Sequence, residues 1–240
     1  MISTAAILAG GLATRLGDLT RETPKSLLSV AGAPFIRWQL KLLRANGVEK
    51  VVVCVGHLGE LVEKEIGDGS EFGLAAQWSY DGPKLLGTGG ALRRALPLLG
   101  ESFMVIYGDS YLDTDYQAIA RAFQASGHKA LMTVYRNAGR YETGNVIYRD
   151  DRVELYDKRH PRPGMCWVDY GLGCFEADII RDYPADAFDL ADFYEELSGL
   201  GRLAGYEVKS RFYEIGSPGG LAELDALLKE AKLSHERNEE

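Results

Sequence analysis

Between Thr4 and Asp109 short apolar runs alternate with longer segments of helical period, and this rhythm constrains the fold more than any other feature. Thr4 to Ala9 reads as a buried strand, Phe35 to Ala45 as a helix carrying Ile36, Leu40 and Leu43 on one face, and Val51 to Val55 as a second fully buried strand. Leu58 to Ile66 predicts a helix, Gly73 to Ser79 a strand and Gly90 to Leu99 a helix; Phe103 to Tyr107 predicts a strand that stops at Gly108-Asp109. Strands joined by helices in this way run parallel through right-handed crossovers and leave a ligand crevice outside their carboxyl ends. The expected fold is α/β, with a Rossmann-like, mostly parallel central sheet flanked by helices.

From Ala130 the texture changes. Leu131 to Tyr135, Asn145 to Tyr148, Val153 to Tyr156 and Val168 to Phe175 are strand-like with little helix between them, and Arg149-Asp150-Asp151 marks a turn. These runs predict a small antiparallel lid added to the first half. Helices return at Phe188 to Leu197 and Leu221 to Ala231, ahead of a polar tail over 234–240. At 240 residues, 46% of them hydrophobic, the chain is expected to form one domain over 1–233, with halves 1–128 and 129–233.

Charge narrows the partners. A formal net charge of -8 argues against a nucleic-acid partner, because such proteins present a basic face. The clusters Lys158-Arg159-His160 and Arg93-Arg94 read as solvated surface. Cys54, Cys166 and Cys174 form no CxxC pair, so neither a zinc knuckle nor a disulfide framework is indicated. No apolar run approaches the length of a membrane helix, and the apolar N-terminal run has no basic flank. The expectation is a cytoplasmic protein without a membrane partner.

Gly10-Gly11 directly follows the first strand. Glycines there allow a tight turn and close backbone approach to a ligand, and Thr14, Arg15 and Lys25 add a hydroxyl, a guanidinium and an ammonium suited to polyphosphate. Ala13 stands at a glycine position of the Gly-x-Gly-x-x-Gly fingerprint, and no Lys-Ser/Thr follows a Gly as in a Walker A loop. Taken alone, the pair also suits a plain strand-turn-helix joint.

Leu8-Ala9-Gly10-Gly11-Leu12-Ala13-Thr14-Arg15-Leu16 with Thr23-Pro24-Lys25 resembles the LAGGxGTRL…PK signature of the sugar-1-phosphate nucleotidylyltransferases. In the family's order there follow Leu86-Gly87-Thr88-Gly89-Gly90-Ala91, resembling LGTGGA, then Tyr107-Gly108-Asp109, Asp157-Lys158, and Tyr213-Glu214-Ile215-Gly216-Ser217-Pro218, resembling D-I-G-T-P. The compact length is most similar to heptose- or mannose-1-phosphate guanylyltransferases, with the uridylyltransferase for muramic acid phosphate comparably compact.

The resemblance implies a GT-A-like fold and attack of a sugar-1-phosphate oxygen on the α-phosphorus of a nucleoside triphosphate, releasing pyrophosphate. It makes 1–128 the nucleotide-binding half and 129–233 the sugar-phosphate half. By the same resemblance Arg15, Lys25 and Asp109 are catalytic, and Leu8, Ala9, Gly10, Gly11, Thr14, Gly87 and Thr88 bind the nucleotide. Gly144, Asn145, Lys158 and Asp169 take the sugar phosphate, with Glu142 a further candidate for its hydroxyls. Asp109 and Glu214 hold Mg²⁺, which accepts few carboxylates alongside phosphate oxygens. Glu214 replaces the family's usual aspartate, and Asp169-Tyr170-Gly171 stands where many relatives have Asn-Ala-Gly. GTP with heptose or mannose 1-phosphate is favoured. A CTP- or UTP-dependent transfer to another phosphorylated acceptor, a silent nucleotide-sugar-binding subunit and a homodimer stay open.

Overall fold

The computed structural model describes residues 2–11, 22–82, 84, 86–137 and 139–236, the last four of them by backbone alone. One side of the central sheet is parallel, in the order β5 (Ala75–Tyr80), β4 (Lys50–Val55), β1 (Thr4–Leu8), β6 (Ser102–Tyr107). Ile7 lies in register between Val53 and Ile106. The continuous apolar runs of β1 and β4 follow from covering on both faces. Ala5, Ile7, Val51 and Val53 pack on α1 (Phe35–Ala45), α2 (Gly59–Ile66) and α4 (Tyr116–Ser126). Their alternates Ala6, Leu8, Val52 and Cys54 pack on α3 (Gly87–Leu99), α5 (Ala177–Arg181) and α6 (Leu190–Gly199).

The two layers explain the helix patterns. In α1 the buried residues Phe35, Ile36, Gln39, Leu40 and Leu43 form one stripe, in which Gln39 is the only polar member. The unexpected helix α4 has strong end signals: Asp115 Oδ1 accepts the Ala118 N–H at 2.8 Å, and Gly127 ends the helix at φ +67°.

The second half extends the same sheet. Beyond β6 come β11 (Trp167–Glu176), β8 (Ala130–Arg136), β12 (Ala204–Val208), β10 (Arg152–Tyr156) and β9 (Val146–Arg149). β11 is antiparallel to both β6 and β8, whereas β12 runs parallel to β8. The α/β fold is as expected, with the antiparallel strands joined edge-on to the parallel ones in a nine-stranded sheet. The register of β11 against β8 shifts between Asp169 and Gly173, and this bulge carries Gly171 over Tyr107 and Ser110.

A third cluster lies at the site's edge, where α7 (Pro218–Glu236) packs Leu224 and Leu228 against Val30, Phe35 and Ile215. It clasps a hairpin of β2 (Ser29–Val30) and β3 (Ala33–Pro34), whose turn residues Ala31 and Gly32 both have positive φ, +49° and +78°. Asp225 Oδ1 accepts the Ala31 N–H and Lys232 Nζ donates to the Ala31 carbonyl, each at 2.8 Å. The two-residue strands β7 (Ser110–Tyr111) and β13 (Tyr213–Glu214) pair antiparallel. No helix among the described residues is long and apolar enough to cross a membrane.

Candidate active site

The carboxyl ends of β1, β4 and β6 open into a cavity of about 400 Å³. Of the residues expected to bind nucleotide, Leu8, Ala9, Gly10, Gly11, Gly87 and Thr88 line it, together with Lys25 and Asp109. Thr14 and Arg15 lie outside the described residues.

Lys25 opens a 3-10 turn over Lys25–Leu27, just ahead of the hairpin that α7 holds. Its Nζ donates to Asp109 Oδ2 at 2.6 Å, the two side chains being 20% and 30% exposed. Asp109 arrives through a turn at the end of β6. Gly108 donates its N–H to the Leu8 carbonyl at 2.9 Å, and a side chain there would stand 2.7 Å from that oxygen, so only glycine permits the approach. Glu214 comes from 105 positions later: β13 sets it opposite Ser110, and the next N–H, of Ile215, donates to the Asp109 carbonyl at 2.9 Å. Gly216 marks the convergence. A methyl group on it would lie 3.3 Å from Lys25 Nζ, 3.6 Å from Asp109 Oδ2 and 3.6 Å from Glu214 Cδ.

This donor set fits a magnesium ion shared with a substrate. Among the described residues no three His, Cys, Asp or Glu side chains are gathered to hold a metal unaided. Two converging carboxylates are what Mg²⁺ uses when phosphate oxygens and water complete its shell.

The N-terminus of α3 is already engaged. Gly89 and Gly90 donate their N–H groups to the Phe188 carbonyl, and Thr88 N–H donates to Asp189 Oδ1 at 3.2 Å. The Thr88 hydroxyl accepts the Leu190 N–H at 2.8 Å. Gly87 has φ +72°, and a side chain there would meet the Phe188 carbonyl at 2.5 Å. Gly87 and Thr88 therefore form cavity wall rather than a free anion seat.

Sequence reasoning missed two carboxylates on that wall, Asp81 and Asp189. Asp81 is buried beside Gly10, where a methyl group would lie 3.2 Å from its Oδ2. Burial pushes its carboxyl up, and the Arg94 charge opposes this. It follows β5 in a stretch with several candidate donors, so only the fold distinguishes it. Gln39 was missed too: its side chain, inside the helical stripe, donates to the carbonyls of Tyr107 and Ser110 on either side of Asp109.

The structure separates the residues expected to take the sugar phosphate into two pairs. Asn145 is a joint between strands: its Oδ1 accepts the Asp169 N–H, its N–H donates to the Trp167 carbonyl, and its carbonyl accepts the Asp157 N–H. Gly144 is pressed against the Met165 carbonyl, which a side chain would overlap at 1.9 Å. Neither lines the cavity. Asp169 and exposed Lys158 share a field instead. Burial pushes the Asp169 carboxyl up to about 6, while the Gly171 N–H and the Lys158 charge draw it down. Tyr107 lines the cavity; burial raises its hydroxyl, with Asp169 and Asp109 adding to the effect. Asp157 turns inward, accepting the Arg159 and His160 N–H groups and pairing with Arg162, so it shapes the loop that carries Lys158. Exposed Glu142 gives its carbonyl to the Asn137 amide. Asn137 also donates its backbone N–H to the Cys166 carbonyl at 3.1 Å, anchoring the segment before Gly144.

The chain resembles known proteins over most of its length. It is 42% identical to the N-acetylmuramate alpha-1-phosphate uridylyltransferase of Neisseria meningitidis serogroup B over 51% of this chain, a match that spans about half (52%) of that relative. It is 26% identical to the D-glycero-alpha-D-manno-heptose 1-phosphate guanylyltransferase of Campylobacter jejuni over 89% of this chain and 95% of that relative. A crystal structure from Bacillus anthracis, described as a glucose-1-phosphate thymidylyltransferase, superposes with a TM-score of 0.82 over 94% of this chain and 95% of that one at 20% identity, a likeness of fold. The nucleotidyl transferase family model matches residues 4–156, more than half of the chain, across the strands and turns that build the cavity. This protein therefore belongs to the nucleotidyl transferase family of enzymes.

Proposed function

We propose that the protein transfers a nucleotidyl group from a nucleoside triphosphate to a sugar 1-phosphate, releasing pyrophosphate. The observation that carries this reading is the convergence of Lys25, Asp109 and Glu214 on Gly216 at the rim of the strand-end cavity. Both reactants are polyanions, so the site's work is to bring phosphates together in line and to absorb charge as it develops. The backbone at Gly10 and Gly11 receives the triphosphate. Lys25 exchanges the Asp109 carboxylate for a phosphate oxygen. Asp109 and Glu214 hold Mg²⁺, which when bound neutralises phosphate charge. Lys158 and Asp169 receive the phosphate and hydroxyls of the sugar phosphate, and the role given to Arg15 is to offset the charge of the triphosphate.

GTP is the preferred nucleotide on the strength of Asp81. A carboxylate accepts two parallel donors, which guanine offers at N1–H and N2–H, whereas uracil offers one N–H between two carbonyl oxygens. The preferred acceptor is a heptose or mannose 1-phosphate. Likeness to the uridylyltransferase favours a second reading, in which UTP is the donor. A pyrophosphate-release screen of the four triphosphates against a panel of sugar 1-phosphates, with Mg²⁺, tests both. Turnover with GTP that falls selectively in Asp81→Asn supports the first. Turnover with UTP alone establishes the second, and none with any pair sinks the proposal.

A further inference from the structure

Gln39 is 2% exposed, and both of its amide protons are used on the turn that carries Asp109. Nε2 donates to the Tyr107 carbonyl at 2.9 Å and to the Ser110 carbonyl at 2.8 Å. Its Oε1 is buried without a hydrogen-bond partner. An apolar side chain would fill this place in the α1 stripe without leaving an acceptor orphaned, so core packing alone does not account for a glutamine here. Nor can the amide turn over, because its oxygen would then face two carbonyl oxygens.

The braced turn governs both acids. Ser110 is the residue that β7 pairs with Glu214, and the Asp109 carbonyl receives the Ile215 N–H. On the reading of Asp109 and Glu214 as a metal-holding pair, we propose that Gln39 is a positioning residue that fixes the 107–110 turn and so presents both carboxylates to one ion. Partners of this kind, one step removed from a metal, typically change its affinity by about 10–100-fold when removed.

The test uses Mn²⁺ as the probe, its affinity read by electron paramagnetic resonance with the triphosphate that supports turnover. Binding of the same triphosphate in EDTA and thermal unfolding are measured alongside. Gln39→Met fills the space without donors, and Gln39→Glu keeps the shape but loses both donors when ionised. Each is expected to weaken Mn²⁺ by about 10-fold or more and to lower kcat in parallel, leaving metal-free nucleotide binding unchanged. If these variants are too unstable, Gln39→His, which retains one N–H donor, should give an intermediate loss. Wild-type Mn²⁺ affinity in the folded variants overturns the proposal, as does a joint loss of Mn²⁺ and metal-free nucleotide affinity, which would mark general loosening. Asp109→Asn separates the two layers of inference. If it loses Mn²⁺ while the Gln39 variants keep it, only the positioning role fails; if it keeps Mn²⁺, the metal reading fails and the positioning role with it.

Discussion

Lys25 and Asp109 hold one another at 2.6 Å, so the ammonium occupies ground that a divalent cation needs. Lys25→Met should therefore have two opposite effects. Turnover falls by about 10²-fold or more, as when a donor to developing charge is lost, while Mn²⁺ binding in the absence of nucleotide becomes tighter. Kinetics and titration calorimetry check the pair, and unchanged metal affinity would show that the ion pair does not compete with the cation. Asp169 makes a separate prediction. Its folded-state value of about 6 lies above the roughly 3.9 of an unfolded aspartate, so the native state binds the proton more firmly. The contribution of Asp169 to stability is then greatest below about pH 4, falls as pH rises to about 6, and is level beyond that. Asp169→Asn should equal the wild type near pH 4 and exceed it at pH 7 in urea unfolding; an equal difference at both values would refute the shift. At this scale, Lys25, Asp109 and Glu214 were legible because each stands in a short motif. Asp81, Asp189 and Gln39 were not, because an aspartate after a strand or a glutamine in an apolar stripe becomes informative only through neighbours distant in sequence.

Among the elements, the β7–β13 ribbon does most to assemble the site, since it sets Glu214 opposite Ser110, beside the Asp109 turn. If both acids hold one ion, Asp109→Asn and Glu214→Gln each remove most activity, and the double variant costs much less than the sum because the ion is lost once. A silent Glu214→Gln beside a dead Asp109→Asn would leave the ion to Asp109 alone. The α3 N-terminus gives a stability prediction. Gly87→Ala forces a side chain to φ +72° against the Phe188 carbonyl, so denaturant unfolding should show a loss of at least about 1–2 kcal/mol; a loss below that range would mean that the backbone there relaxes freely. α1 was legible to the residue and β4 to within one, because double-faced burial and a helical stripe write themselves into consecutive residues. Two-residue strands have no period to read. β12, with Gly205 as its second residue, is a strand because β8 offers an edge, not because of strong strand propensity.

For the molecule as a whole, the decisive fact is that β11 sits between β6 and β8, so the first half finds its sheet neighbour in the second. Residues 1–128 alone would leave the β6 edge unpaired and should aggregate rather than fold, and the intact chain should unfold in one step, with circular dichroism and tryptophan fluorescence coinciding. Two resolved transitions would contradict this. That interleaving could not be read from the sequence, where the antiparallel strands form a block of their own. The anchoring of Asn137 on the Cys166 carbonyl has a practical consequence for watching catalysis. Of the chain's three cysteines, Cys54 and Cys174 are buried, and burial raises both thiols, that of Cys54 to about 12, whereas Cys166 is exposed. A maleimide dye offered to the native enzyme will attach at Cys166 alone, next to Trp167 as an energy-transfer donor. A dye on Cys166 thus sits beside the anchor of the segment before Gly144, and rapid-mixing fluorescence tests whether a sugar phosphate binds near it without an engineered cysteine.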